Sequence, residues 1–256
     1  MDKWIEKGKM LNDMLRPHTF PLAVKLIKDA EEIPESAIRP FRDLKIKVAL
    51  CQGITMSRRY GWTVGMVPED VGCAIALAAY GWRRPKEEKA MANFLVRMGY
   101  AADSKAGMTI ASEINKFEEG EYAGIVFSPL AWTKIVPDLV MVYGNPAQIM
   151  RLIHACTYHS GNSVNCSFSG RAASCTEGII RTRLTREPKV VVPGNGDRVW
   201  AMTQDDEMAF TIPSEKLESV IGALKVGHEE GIRYPIPVCQ RFRPEVTLGI
   251  PLDEIF

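Results

Sequence analysis

Cysteine is the residue type in this chain best suited to chemistry. Six occur, at Cys51, Cys73, Cys156, Cys166, Cys175 and Cys239, and three of them fall between positions 156 and 175. The opening residues, Met1-Asp2-Lys3-Trp4-Ile5-Glu6-Lys7, lack the apolar run of a secretory signal, so a cytoplasmic protein with reduced thiols is expected. Reduced thiols gathered in one place point to metal binding or catalysis.

Thiolates are soft ligands, and three or four converging on one point suit zinc or an iron–sulfur cluster. No two cysteines are spaced as CxxC, which excludes zinc ribbons and ferredoxin-type motifs. A cluster held by well-separated segments is still allowed. Cys51 lies where an apolar run meets Gln52-Gly53 and a helix start. Cys73 follows Gly72 in the opening turns of a helix that begins near Pro68. Cys175 sits in Ser169-Gly170-Arg171-Ala172-Ala173-Ser174-Cys175-Thr176-Glu177-Gly178. Helix N-termini favour thiolate, and small neighbours let backbone N–H groups approach sulfur. These three are the expected ligands. Cys166 is a weaker candidate for a fourth, and Cys156, on the apolar stripe of its own helix, is assigned to packing before ligation. Three ligands and an open iron would suit substrate chemistry better than simple electron transfer. Arg58 and Arg59, close to Cys51, are weak candidates for holding an anionic substrate there, against the plainer reading of a surface charge pair.

Other constellations carry less. Gly194-Asn195-Gly196-Asp197-Arg198 lacks the third glycine of a dinucleotide fingerprint, and a strand is expected after it, so it reads as a hairpin turn. Asp205-Asp206-Glu207 reads as a solvated turn. His154 and His159, at i and i+5, point to different faces of a helix.

The elements that must position the cysteines follow from periodicity. An amphipathic helix carries Trp4, Leu11, Met14 and Leu15 and ends at Arg16-Pro17. Strands are predicted at 21–27, 63–67, 122–127 and 139–143, an apolar run at 46–50 leads into Cys51, and helices are predicted from Pro68, over 86–99 and over 107–117. Asn145 and Pro146 are a good N-cap and first residue for a helix burying Ile149, Leu152, Ile153 and Cys156. A meander of 189–192, 198–203 and 208–212 is predicted next, then a helix capped by Ser214 and closed by Gly227. Early helices and late antiparallel strands predict an α+β fold with a mixed, largely antiparallel sheet and several packed helices. Residues 1–256 are read as one domain, or as two lobes, helix-rich 1–120 and strand-rich 121–256.

Composition bounds the partners. The 256 residues are 46% hydrophobic and 25% charged, as in an ordinary globule. A net charge of +1 gives no footprint for nucleic acid, and the longest apolar stretch is too short to span a bilayer. A small molecule or an electron-transfer partner is left.

Several stretches resemble the uncharacterised family known as domain of unknown function 169. They are Pro21-Leu22-Ala23-Val24-Lys25, Leu50-Cys51-Gln52 with Arg58 or Arg59 and Gly61-Trp62, Asp70 with Cys73, Pro193 to Arg198, and Thr203 to Met208. The similarity covers residues 20 to 226. It implies a soluble protein of anaerobic bacteria and archaea, a setting that suits an oxygen-sensitive cluster, and it supplies no catalytic residues.

Three functional expectations result. The first is a cytoplasmic 4Fe–4S cluster protein using Cys51, Cys73 and Cys175, with a fourth cysteine or an exogenous ligand. The second is a metal-free small-ligand-binding or accessory protein with core cysteines. The third is a zinc protein with a mixed shell, such as cysteine with His159.

Overall fold

The computed structural model describes residues 2–235 and residue 253. Cys239 lies outside the described residues. In chain order the helices are α1 (Asp2–Leu15), α2 (Pro40–Leu44), α3 (Leu50–Tyr60), α4 (Ala74–Ala79), α5 (Glu88–Arg97), α6 (Ser104–Glu113), α7 (Pro146–Thr157), α8 (Arg181–Thr185), α9 (Asn195–Trp200) and α10 (Leu217–Glu229). The strands are β1 (Leu22–Ile27), β2 (Val64–Met66), β3 (Gly124–Pro129), β4 (Leu139–Gly144), β5 (Lys189–Val191) and β6 (Met208–Pro213).

The strands form one six-stranded sheet in the order β2-β3-β1-β4-β6-β5, and every neighbouring pair is antiparallel. The fold is α+β. Strands from both the helix-rich and the strand-rich parts of the chain share this sheet.

Both sheet faces are covered, which is why strands such as Leu-Val-Met-Val-Tyr read as unbroken apolar runs. Successive side chains point to opposite faces, and two separate cores result. On one face Val24, Phe127 and Met141 pack with Leu50 and Ile54 of α3, Tyr80 after α4, and Ala173 and Ile179 of a π-helical turn (Ala173–Ile180). On the other face Ala23, Val140, Val142 and Phe210 pack against Leu11 of α1, Leu152 of α7 and Leu224 of α10. Each large side chain buried this way contributes about 1.5–3 kcal/mol.

The sheet supports α7 as the sequence predicts. Asn145 Oδ1 accepts the Gln148 N–H at 3.0 Å, Gln148 Oε1 accepts the Asn145 N–H at 2.8 Å, and Pro146 occupies the first turn. Other boundaries need correcting. The apolar run at 46–50 contributes a bridge between Val48 and Val71 and passes into α3 at Leu50. The helix expected from Pro68 stops after one 3₁₀ turn (Pro68–Asp70), and Cys73 is the residue preceding α4. The helix before the tail begins at Leu217 after a 3₁₀ turn at Ser214–Lys216 without a side-chain cap, and it runs past Gly227 to Glu229.

The largest correction concerns residues 194–203. They form α9 and a following turn, with no middle strand of a meander. The hairpin turn predicted at Gly194–Arg198 is a helix start: Asp197 Oδ2 accepts the Gly194 N–H at 2.9 Å. The alternation in Val199-Trp200-Ala201-Met202 marks no buried face, since Val199, Trp200 and Met202 are all exposed.

Candidate functional site

Three segments deliver the three expected cysteines to one cavity of about 400 Å³. Cys51 is the second residue of α3, where Gln52 reaches back to accept the Ala49 N–H at 2.8 Å and fixes the helix start. Cys73 precedes α4. Cys175 is the third residue of the π-helical turn, which continues directly into α8. Ala172, just before that turn, is held at φ 49°, a left-handed conformation that a side chain disfavours. A π-helical turn and a strained residue together are features that concentrate at functional sites.

The thiols are buried in a mostly apolar cavity whose lining also carries Asp197. Burial pushes the Cys175 thiol well above its usual pKa, and Cys73, Asp197 and Cys51 raise it further. Burial, then Asp197 and Cys73, do the same to Cys51. Without a bound cation these two are therefore neutral thiols. The Cys175 thiol lies 3.4 Å from the Ala172 carbonyl, and the Cys51 sulfur 4.0 Å from that of Gly196. Among the described residues, no three His, Cys, Asp or Glu side chains already converge on a single ion position.

Asp197 is the buried carboxyl of this cavity. Burial raises its pKa, while Ser174 and the Gly194 N–H hold it by hydrogen bonds. Ser174 in turn accepts the Tyr143 hydroxyl at 2.9 Å, so a buried polar chain runs from the cavity to the sheet. Thr55 of α3 donates to the Ala201 carbonyl at 2.5 Å, tying α9 to the helix that bears Cys51.

The remaining sequence candidates lie elsewhere. Cys156 and Cys166 pack against the core on the opposite sheet face, with Cys166 Sγ accepting the Val190 N–H at 3.1 Å. The sheet stands between them and the cavity, so neither is placed to be a fourth ligand. His159 and Cys156 line a different cavity of about 660 Å³ beside Glu187 and Lys189. Arg58 and Arg59 do not line the cysteine cavity. Arg58 is fully buried and pairs with Glu207, and Arg59 reaches the same carboxylate at 3.2 Å. Glu207 is accordingly buried rather than part of a solvated turn, whereas Asp205 and Asp206 are exposed.

The sequence reading missed Asp197, Arg171, Tyr100 and Trp200 as cavity residues. Arg171 carried a signal: it is the one charged residue between Ser167 and Ser174.

Residues 10–223 match the family model described as uncharacterised ArCR, domain of unknown function 169. The chain belongs to this family. The match to domain of unknown function 169 takes in all three cavity cysteines together with α9. An uncharacterised protein of Methanocaldococcus jannaschii is 29% identical over 221 residues, which span 86% of this chain and 93% of that protein. No solved structure matches the chain. No helix among the described residues is long and apolar enough to cross a membrane.

Proposed function

We propose that this protein binds a 4Fe–4S cluster through Cys51, Cys73 and Cys175, with one iron left facing the cavity for an exogenous ligand or substrate. The observation that supports this reading is the placing of three sequence-distant cysteines on one cavity, which among the described residues has no fourth. A mononuclear site needs four donors within about 2.3 Å of one ion, whereas a cluster spreads its ligands over separate corners. Separate segments rather than one knuckle suit the second arrangement. When bound, such a cluster supplies an electron-accepting centre with one Lewis-acidic iron. The chain's own part is to give up the thiol protons, to keep water away with the walls around Ile75 and Phe94, and to hold the buried Asp197 beside the sulfurs. Because burial keeps the Cys51 and Cys175 thiols neutral when the site is empty, loading releases their protons and strengthens as pH rises.

Protein purified and reconstituted without oxygen should hold roughly four iron and four sulfide per chain and absorb broadly near about 400 nm. Alanine at Cys51, Cys73 or Cys175 should each abolish this, and alanine at Cys166 should not. Iron far below one per chain after anaerobic reconstitution would overturn the reading. It would favour the metal-free alternative, a pocket for a small ligand, which the neutral thiols and apolar walls also suit.

A further inference from the structure

Among the described residues, Arg171 is a cation without an anion. It lines the cysteine cavity from the loop that enters the π-helical turn. Its Nη1 donates to the Tyr100 carbonyl at 3.2 Å, and its Nε is buried without any partner. Among the described residues it pairs with no carboxylate. Arg58 pairs with Glu207 and Arg39 pairs with Asp70. Arg151, like Arg171, meets one neutral acceptor, the Met14 carbonyl, and leaves buried guanidinium nitrogens without a partner, but unlike Arg171 it does not line this cavity. A partly buried guanidinium with one neutral acceptor is an unsatisfied charge, and such groups are compensated by an anion. Asp197, on the same cavity, does not supply it: its carboxyl is engaged by Gly194 and Ser174.

The loop that carries this charge is tied back to α9. Gly170 and Ala172 both have positive φ, at 71° and 49°, and the Asn195 N–H donates to the Gly170 carbonyl at 3.4 Å. Phe94, Met98 and Trp200 add large apolar surfaces to the wall. A cation beside aromatic walls, with Lys47 a second cation on the same lining, in a volume of about 400 Å³, suits an anion with an apolar body.

We propose that the cavity binds a small organic carboxylate, its charge on Arg171 and its apolar body against Phe94, Met98 and Trp200, directed toward the cysteines. This deepens the reading above by naming its substrate class, but it rests on the cavity and not on the metal.

Calorimetric titration with benzoate, hexanoate and the uncharged isostere benzamide tests it on both metal-free and anaerobically reconstituted protein. At least one carboxylate should bind saturably to the metal-free protein while benzamide binds at least roughly tenfold more weakly. Arg171→Gln should weaken the carboxylate at least roughly tenfold, and Arg171→Lys should recover part of it. Thermal melts of both variants verify folding. No saturable carboxylate binding, equal binding of benzamide, or an unchanged Arg171→Gln titration overturns the proposal. Iron content is read separately, so loss of carboxylate binding with a full cluster, or binding without one, tells the two failures apart.

Discussion

Arg58 and Glu207, 149 positions apart, meet inside the protein as a two-pronged ion pair: Nη1 lies 2.8 Å from Oε1, and Nη2 lies 3.1 Å from Oε2. The guanidinium also stacks on the Tyr143 ring, 4.0 Å from its centre. This pair ties α3, which bears Cys51, to the turn after α9. Removing one partner strands a buried charge, so Glu207→Ala should destabilise by about 3–5 kcal/mol. The double variant Arg58→Met with Glu207→Leu should lose less than Glu207→Ala alone. Urea denaturation of the two variants checks this, and a double variant at least as unstable as the single would refute the internal-brace role.

The same pair predicts an acid limb. Burial alone pushes the Glu207 carboxyl up, but the Arg58 hydrogen bond, the Gln204 N–H and the charges of Arg58 and Arg59 outweigh it and hold the pKa below its usual value. A carboxyl depressed in the folded state contributes stability that is complete above its unfolded pKa of about 4.3. That contribution is lost as pH falls through the folded value. Stability measured from pH 6 downward should therefore drop below about pH 4, and more steeply in the native chain than in Glu207→Gln. Parallel curves for the two would sink the assignment.

Much of this architecture was readable in the residues. Runs such as Leu139–Tyr143 are apolar throughout because both sheet faces are covered, and the Asn145-Pro146 start of α7 has a local cause in its capping box. The three cysteines could be grouped on local features, a helix start for Cys51 and Cys73 and small neighbours for Cys175. The rest depends on pairing across the chain. Glu207 looks like its exposed neighbours Asp205 and Asp206 until Arg58 is beside it. Cys166 lies nine residues from Cys175, yet the sheet separates them, and sequence distance carries no sign of that. At Gly194–Trp200 two glycines imitate a hairpin, and the deciding contact is one hydrogen bond from Gly194 to Asp197.

That helix start predicts unequal responses at its two glycines. A Cβ at Gly194 would sit 2.8 Å from the Gly170 carbonyl oxygen, which is backbone and cannot swing away. Gly194→Ala should destabilise by about 1–3 kcal/mol and loosen the loop that carries Arg171. Gly196 lies within α9 without positive φ, and its added Cβ would meet only the Trp200 ring at 3.3 Å. Helix propensity favours alanine there by up to about 1 kcal/mol, so Gly196→Ala should fall within about 0.5 kcal/mol of the native chain. Thermal melts that rank the two variants the other way would restore a turn at this site.

Cys156 offers the control for the cluster reading. It is half-buried on α7, packs against the core on the far side of the sheet, and burial pushes its thiol up to about 12. Cys156→Ala removes one sulfur from a site already open to a cavity, so it should reduce stability by only about 1 kcal/mol. Iron and sulfide content after anaerobic reconstitution should match that of the native chain. If the alanine variant loses its iron while remaining folded, a ligand must come from this side of the sheet, and the site built on Cys51, Cys73 and Cys175 is wrong.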